Sequence, residues 1–348
     1  MKRYKVISIP GDGIGLEVTP PAMQVVDHLA ERYQFAVDWE VTPWGSQYFR
    51  KHGRMMPVDG LEIMSKFDAI YLGAIGAPDI ADTETLWGLL IPIRRDFDQY
   101  INLRPIRSYK GIASPLKSDK EIDMVIVREN TEGEYSKVGG RFSQNTPYET
   151  ALQVAVFSRH GIERVTRYAV AQAQSRRKEI VSATKSNGII YSMPFWDEVV
   201  NSVLKEHPEI KSTQILIDAL AAALVLRPES FDVIVASNLF GDILSDLAAA
   251  LVGSIGIAPS GNINPEHKFP SMFEPVHGSA PDIAGKGIAN PVGAIQAAEM
   301  MLDHLGEAAA AADIRRGITD LFAAGIATKD LGGSENTASF TEKLLGKL

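Results

Sequence analysis

The sequence predicts an α/β fold with a largely parallel, buried sheet, and three observations predict it. Short apolar runs rich in β-branched residues alternate with longer, helix-like segments. The 348 residues, 45% of them hydrophobic, can bury a large core, as two domains or one large α/β unit. The chain also opens on a strand that turns through glycines into a helix, "PGDGIGLEV" after Val6-Ile7-Ser8-Ile9. In order, residues 6–9, 69–73, 124–127, 179–183, 214–218 and 233–236 read as strands. Residues 20–33, 150–174, 194–206 and 242–251 read as helices, and residues 303–322, with their alanine run and Arg315-Arg316, as a surface helix. The Pro/Gly-rich stretches 105–115 and 257–275 read as loops or crossings between domains.

The opening motif fails the dinucleotide fingerprint G-x-G-x-x-G. Gly11 and Gly13 supply the first two glycines, the third position is Leu16, and Gly15 comes one residue early.

Composition excludes several classes. The net charge of -8, without a basic block, argues against a nucleic-acid surface. The absence of cysteine excludes disulfides and thiolate metal sites. Residues 1–4 lead straight into a strand without an apolar signal region, and no run approaches membrane-spanning length, so a soluble cytoplasmic protein is expected.

Four stretches carry chemistry. In "NLFGDILSDLAAALVG", Asp242 and Asp246 leave one face of a helix a turn apart, and nothing cationic within the segment offsets them. A hard divalent cation such as Mg²⁺ or Mn²⁺ would. The plain alternative is a pair of acids complementing the helix dipole, which suits Asp242 better than Asp246, expected to lie deeper beside Leu244 and Leu247. In "LLIPIRRDFDQYINLRP", arginine forks at Arg94 and Arg104 suit carboxylates, while Arg95 reads as ordinary and solvated. Arg128 ends a strand, where ligands gather in open α/β sheets, and Tyr135 follows in the polar loop "RENTEGEYS" as a candidate general acid. In "SATKSNG", Lys185 follows a strand end and could serve as base or anion clamp, although a surface lysine is the commoner case. "FEPVHGSAPDIAGKGIANPVGA" interleaves glycines with Glu274, His277, Asp282 and Asn290, which a purely structural loop would not need.

Together, PGDGIG, NLRP, RENTEGEY, TKSN, NLFGDILSDL and HGSAPDIAGKGIANP resemble, nearly end to end, the β-decarboxylating dehydrogenases. These metal-dependent enzymes oxidise isocitrate, 3-isopropylmalate, homoisocitrate, tartrate or D-malate, and the tartrate and D-malate branch matches best. The resemblance implies an isopropylmalate dehydrogenase-like fold of two α/β lobes sharing a largely parallel sheet, and not a Rossmann fold. The first, cofactor-side lobe would comprise residues 1–102 and 255–348, and the second, metal and dimerisation lobe residues 103–254. It implies that Arg94, Arg104 and Arg128 clamp substrate carboxylates, and that Asp218, Asp242 and Asp246 bind Mg²⁺ or Mn²⁺. Lys185 becomes the base at the C2 hydroxyl, and Tyr135 the acid that protonates the enol carbon. Lys185 and Asp218 would complete the partner's site across a homodimer interface. The resemblance leaves a monovalent cation as an open requirement.

Isocitrate enzymes place serine and asparagine six and four residues before the first arginine, where this chain has Gly88 and Leu90. A third carboxylate would meet apolar groups there. Isopropylmalate enzymes carry glutamate seven residues before that arginine, where this chain has Trp87. Trp87 would fill the isopropyl space and favour D-malate or tartrate. Core packing would explain Trp87 equally well, and Leu90 and Ile91 leave alkylmalates open. NADP-dependent relatives carry a lysine-tyrosine pair where this chain has Asp282-Ile283, and an aspartate suits ribose hydroxyls and repels a 2′-phosphate, so NAD is expected. Ile14, Asn187, Glu274, His277, Gly278, Ser279, Ala280, Asp282, Ile283 and Asn290 are the expected cofactor contacts. The competing readings are 3-isopropylmalate dehydrogenase and a non-catalytic regulatory subunit on the same scaffold. The regulatory subunit would lose a metal aspartate, the lysine or the tyrosine, all of which are present.

Overall fold

The computed structural model describes residues 1–117 and 120–348. They form two compact units. The first comprises Met1–Gln99, Arg104–Glu121 and Ala249–Leu348, and the second Tyr100–Leu103 and Ile122–Ala248. Residues 104–121 thus group with the first unit, where the sequence reading set them in the second.

The first unit opens with β1 (Lys2–Gly11), α1 (Gly15–Tyr33), β2 (Phe35–Val41), α2 (Ser46–His52), α3 (Gly60–Met64), β3 (Ala69–Ala74) and α4 (Asp82–Thr85). A π-helical turn, Leu86–Leu90, runs into α5 (Ile91–Asp96). The residues of β4 (Ile101–Arg107) divide between the two units. The second unit continues with β5 (Asp123–Glu129), β6 (Gly139–Phe142), β7 (Thr150–Gln153), α6 (Arg159–Gln174), β8 (Glu179–Thr184) and α7 (Ser192–Lys205). It ends with β9 (Lys211–Leu216), α8 (Ile217–Leu226), β10 (Val233–Ala236) and most of α9 (Asn238–Leu251). The chain then returns to the first unit with β11 (Pro259–Ile263), β12 (Ser271–Pro275), α10 (Val292–His304), α11 (Ala308–Ala323) and α12 (Thr337–Leu345).

In the first unit the strand order is β2-β1-β3-β12-β11, parallel except where β11 meets β12. In the second it is β5-β10-β8-β9, parallel throughout. β3 and β10 are buried at every residue, as strands covered on both faces must be, and this is why they read as unbroken apolar runs. The first unit's core joins Ile7, Ile9, Ile70 and Leu72 of the sheet to Leu89, Leu90 and Ile93 of the helical arm.

Several elements depart from the sequence reading. α1 starts at Gly15 rather than at Pro20, because Gly15 and Thr19 pack against β3 closely enough that a Cβ at position 15 would strike the Ala74 backbone. The helix expected over 150–174 begins only after Ser158, whose hydroxyl caps Gly161 N–H; the preceding residues form the exposed hairpin β6–β7. β9 ends at Leu216, so Asp218 sits in the first turn of α8 instead of in a strand. The expected loop 257–275 contains two fully buried strands, β11 and β12. The expected surface helix over 303–322 is α11 preceded by a break at Gly306, and its Arg315 reaches the buried Glu299.

Candidate active site

The predicted site residues fall into two sets, one on each unit. In the first unit the opening motif is a scaffold for the distant glycine-rich loop. Gly11 and Gly13 take positive φ values of 73° and 53°. That turn lets Ile14 N–H donate to Ser279 C=O at 2.8 Å, and a Cβ on Gly13 would collide with the same carbonyl. The buried Asp12 carboxylate accepts from Ser46 N–H, Ser46 Oγ and Gly76 N–H at 2.8, 2.6 and 2.9 Å. One turn later, Glu17 accepts the N–H of Gly287 at 2.9 Å and that of Gly285. Asp12, Ser46 and Glu17 were not singled out from sequence. Glu17 lies in the quoted motif, but nothing local shows that its partners are about 270 residues away.

The loop so held presents the expected cofactor residues. His277 is buried, with Nδ1 2.9 Å from Gly278 C=O, and Nε2 has no hydrogen-bond partner among the described residues. Burial pushes its pKa below the usual imidazole value, so the ring is neutral at pH 7. Asn290 donates to Asp330 at 3.0 Å and accepts Val292 N–H at 3.0 Å, fixing its amide at the start of α10. Ser279 is buried, Ala280 and Ile283 are half-buried, and Gly278 and Asp282 are exposed. Asn187 belongs to the second unit and is exposed in the turn after β8.

Arg94, in the last turn of α5, is buried. Its Nη2 lies 3.0 Å from Glu274 Oε1, and its Nε has no partner among the described residues. Asn262 Nδ2 donates to the same Glu274 oxygen at 2.7 Å. Arg104 is buried on β4. Arg95, read from sequence as solvated, is half-buried and stacks over the Trp87 ring at 5.2 Å. Leu90 belongs to the core cluster, and Gly88 leaves room for Met55, which a Cβ would strike.

In the second unit, Arg128 is the last residue but one of β5, with only 2% of its surface exposed. Its Nε and Nη2 donate to Asn238 Oδ1 at 3.1 and 2.7 Å, and Nη1 pairs with Asp242. Tyr135 donates its hydroxyl to the other Asp242 oxygen at 2.8 Å, and its ring lies 5.6 Å from the Arg128 guanidinium carbon. Gly241 permits this arrangement, because a Cβ there would stand 2.6 Å from the Arg128 side chain. Asn238, which opens the quoted "NLFGD", is a further residue that the sequence reading does not single out. The adjoining Glu129 is buried while accepting from Thr131 and Glu132, and desolvation raises its pKa.

The carboxylates correct two sequence expectations. Asp242 is offset by a cation after all, from β5 rather than from its own helix. Asp246 is exposed and Asp242 half-buried, the reverse of the expected depths. Asp218 is paired with Lys185 at 2.6 Å, which holds its carboxyl below the usual range, and its side chain is 65% exposed. Among the described residues of one chain, no group of three or more His, Asp or Glu is placed to hold a metal.

The isocitrate/isopropylmalate dehydrogenase family matches residues 5–344. Among curated relatives, the D-malate dehydrogenase [decarboxylating] of Escherichia coli (strain K12) is 51% identical over 99% of this chain and 98% of its own. The probable tartrate dehydrogenase/decarboxylase of Bacillus subtilis (strain 168) is 50% identical over 100% and 99%. Among solved structures, isocitrate dehydrogenase from Methylococcus capsulatus superposes with a TM-score of 0.90 at 34% identity, covering 99% of both chains. With a family match over almost its whole length and relatives at half identity, this chain belongs to the isocitrate/isopropylmalate dehydrogenase family.

Proposed function

We propose that the protein oxidatively decarboxylates a small malate-type 2-hydroxy diacid, D-malate or tartrate, with NAD⁺ as hydride acceptor and a divalent cation. D-malate would give pyruvate and CO₂. The observation that carries the reading is the second-unit constellation, in which a buried arginine and a tyrosine hydroxyl meet on one aspartate. The contacts of Arg128 and Tyr135 with Asp242 support roles for them as a carboxylate-binding cation, a proton donor and a metal-type ligand. Supporting it are the relatives at half identity, which are named as dehydrogenases that also decarboxylate. The apolar surroundings of Gly88 and Leu90 support a substrate without a third carboxylate.

In this reading, Arg94, Arg104 and Arg128 bind the two substrate carboxylates through their forks. Lys185 takes the C2 hydroxyl proton as the C2 hydride passes to NAD⁺. The bond to the β-carboxylate then breaks, CO₂ leaves, the electron pair remains as an enolate, and Tyr135 supplies the proton to C3. The loop from His277 to Asn290, latched by Glu17, holds the adenosine side of NAD, and the exposed Asp282 disfavours a 2′-phosphate.

The donor chemistry of Asp242 and Asp246, two carboxylates a turn apart on α9, fits Mg²⁺ or Mn²⁺. A third carboxylate must come from elsewhere, and the partner subunit's Asp218 in a homodimer would supply it. When bound, such a cation would supply positive charge to the developing enol oxygen. The homodimer is supported by large apolar side chains exposed on the second unit, among them Phe142, Tyr148, Ile190, Tyr191 and Leu226.

The test compares kcat/KM for D-malate, tartrate and 3-isopropylmalate with NAD⁺ and Mn²⁺. D-malate or tartrate is expected to lead by at least tenfold. A preference for isopropylmalate overturns the substrate assignment, and no NADH with any 2-hydroxy diacid would favour a regulatory subunit.

A further inference from the structure

We infer that Glu274 is the positioning residue of the substrate arginine Arg94 rather than a contact of the cofactor, an inference that rests on the malate-type diacid reading. Arg94 and Glu274 are both nearly closed to solvent, 6% and 8% exposed, and their side chains meet at 3.0 Å. A buried guanidinium without a counter-charge is costly, so one carboxylate must stay with Arg94 when no substrate is present. Glu274 fills that role with one oxygen only. Its orientation is set from outside the pair, because Asn262 Nδ2 donates to the same Oε1 at 2.7 Å. Asn262 and Glu274 stand on the adjacent antiparallel strands β11 and β12, where register pairs Ser260 with Glu274. The sheet therefore holds Asn262, Asn262 holds Glu274, and Glu274 holds Arg94.

The pairing is incomplete in a way that leaves the arginine ready for a ligand. One nitrogen, Nη2, is engaged by Glu274, while the buried Nε has no acceptor among the described residues. An unpaired buried donor is unfavourable until something accepts from it. A substrate carboxylate is an acceptor of the right chemistry, and it would find the guanidinium already fixed, so less ordering entropy is lost on binding. Glu274 touches neither the hydride nor the migrating protons in this scheme. It acts through Arg94 alone.

The experiment is steady-state kinetics of Glu274→Gln in the full-length protein, with D-malate and NAD⁺ varied separately. It is read only after wild-type enzyme has been shown to oxidise D-malate, so that failure of the diacid reading is seen first and by itself. Glutamine keeps the size and one acceptor oxygen but removes the charge that anchors Arg94. The expected result is a KM for D-malate raised about tenfold or more, with KM for NAD⁺ within about twofold of wild type. Asn262→Ala, which releases only the outer support, is expected to raise the D-malate KM in the same direction by a smaller factor, and it carries the test if Glu274→Gln does not fold. A raised KM for NAD⁺ with unchanged KM for D-malate overturns the inference in favour of a cofactor contact. A fall in kcat with both KM values unchanged, or no change in any parameter, also overturns it.

Discussion

Arg128 shows at the scale of one residue how a buried charge is made tolerable and useful together. Its guanidinium donates to Asn238 and pairs with Asp242, so no large desolvation penalty is left uncompensated. The same Asp242 accepts the hydroxyl of Tyr135 at 2.8 Å. A tyrosine that donates to a carboxylate beside an arginine has its proton at a fixed position, which a general acid requires. Phenylalanine at position 135 keeps the ring and removes only that proton. Tyr135→Phe is therefore expected to lower kcat by about 10² or more, within the usual range for a general acid, with the circular dichroism spectrum unchanged. Full activity in this variant would remove tyrosine from the acid role. From sequence, Arg128 and Tyr135 were visible by position at a strand end and in the loop after it. Asn238 was not, because its work depends on α9 folding back on β5, and no local pattern encodes that approach.

Among the elements, the strands with unbroken β-branched runs were the most legible, because burial on both faces leaves a signature in composition; β10 has the bounds expected. β11 and β12 were not legible. Their residues, PSGNI and SMFEP, have poor strand propensity, and only burial between neighbours makes them strands. The helix expected from residue 150 failed for the opposite reason: apolar spacing ran on into a hairpin whose side chains lie exposed. The opening motif is the most instructive case. It is no Rossmann fingerprint, yet its turn and the start of α1 grip the loop 277–290 through Ile14 and Glu17. If that loop binds the adenosine of NAD, loosening the grip should weaken cofactor binding without touching chemistry. Glu17→Gln halves the latch by exchanging a charged acceptor for a neutral one, and a rise of about fivefold in KM for NAD⁺ is expected, with kcat unchanged. Unchanged KM for NAD⁺ would show that the loop keeps its shape without the latch.

For the whole molecule, one chain holds the candidate metal ligands in two places. Asp242 and Asp246 share α9, while Asp218 is tied to Lys185 on an exposed part of the second unit. No three acidic or imidazole groups gather for a metal among the described residues. In the proposed reading a single subunit would lack the third metal carboxylate, and a symmetric dimer that exchanges Lys185 and Asp218 would supply that carboxylate and the base together. Lys185→Ala and Tyr135→Phe should each be nearly inactive alone. In a dimer of one of each, one site would contain both damaged residues and the other neither. Co-expression with random pairing makes about half of all dimers mixed, each with one intact site of two, so activity should recover to about a quarter of wild type. Light scattering would confirm the dimer in the same preparations. Recovery on that scale requires Tyr135 and Lys185 to serve one site from different chains. If the mixed preparation stays as inactive as its parents while remaining dimeric, the two residues work within one chain, and the shared-site arrangement is wrong.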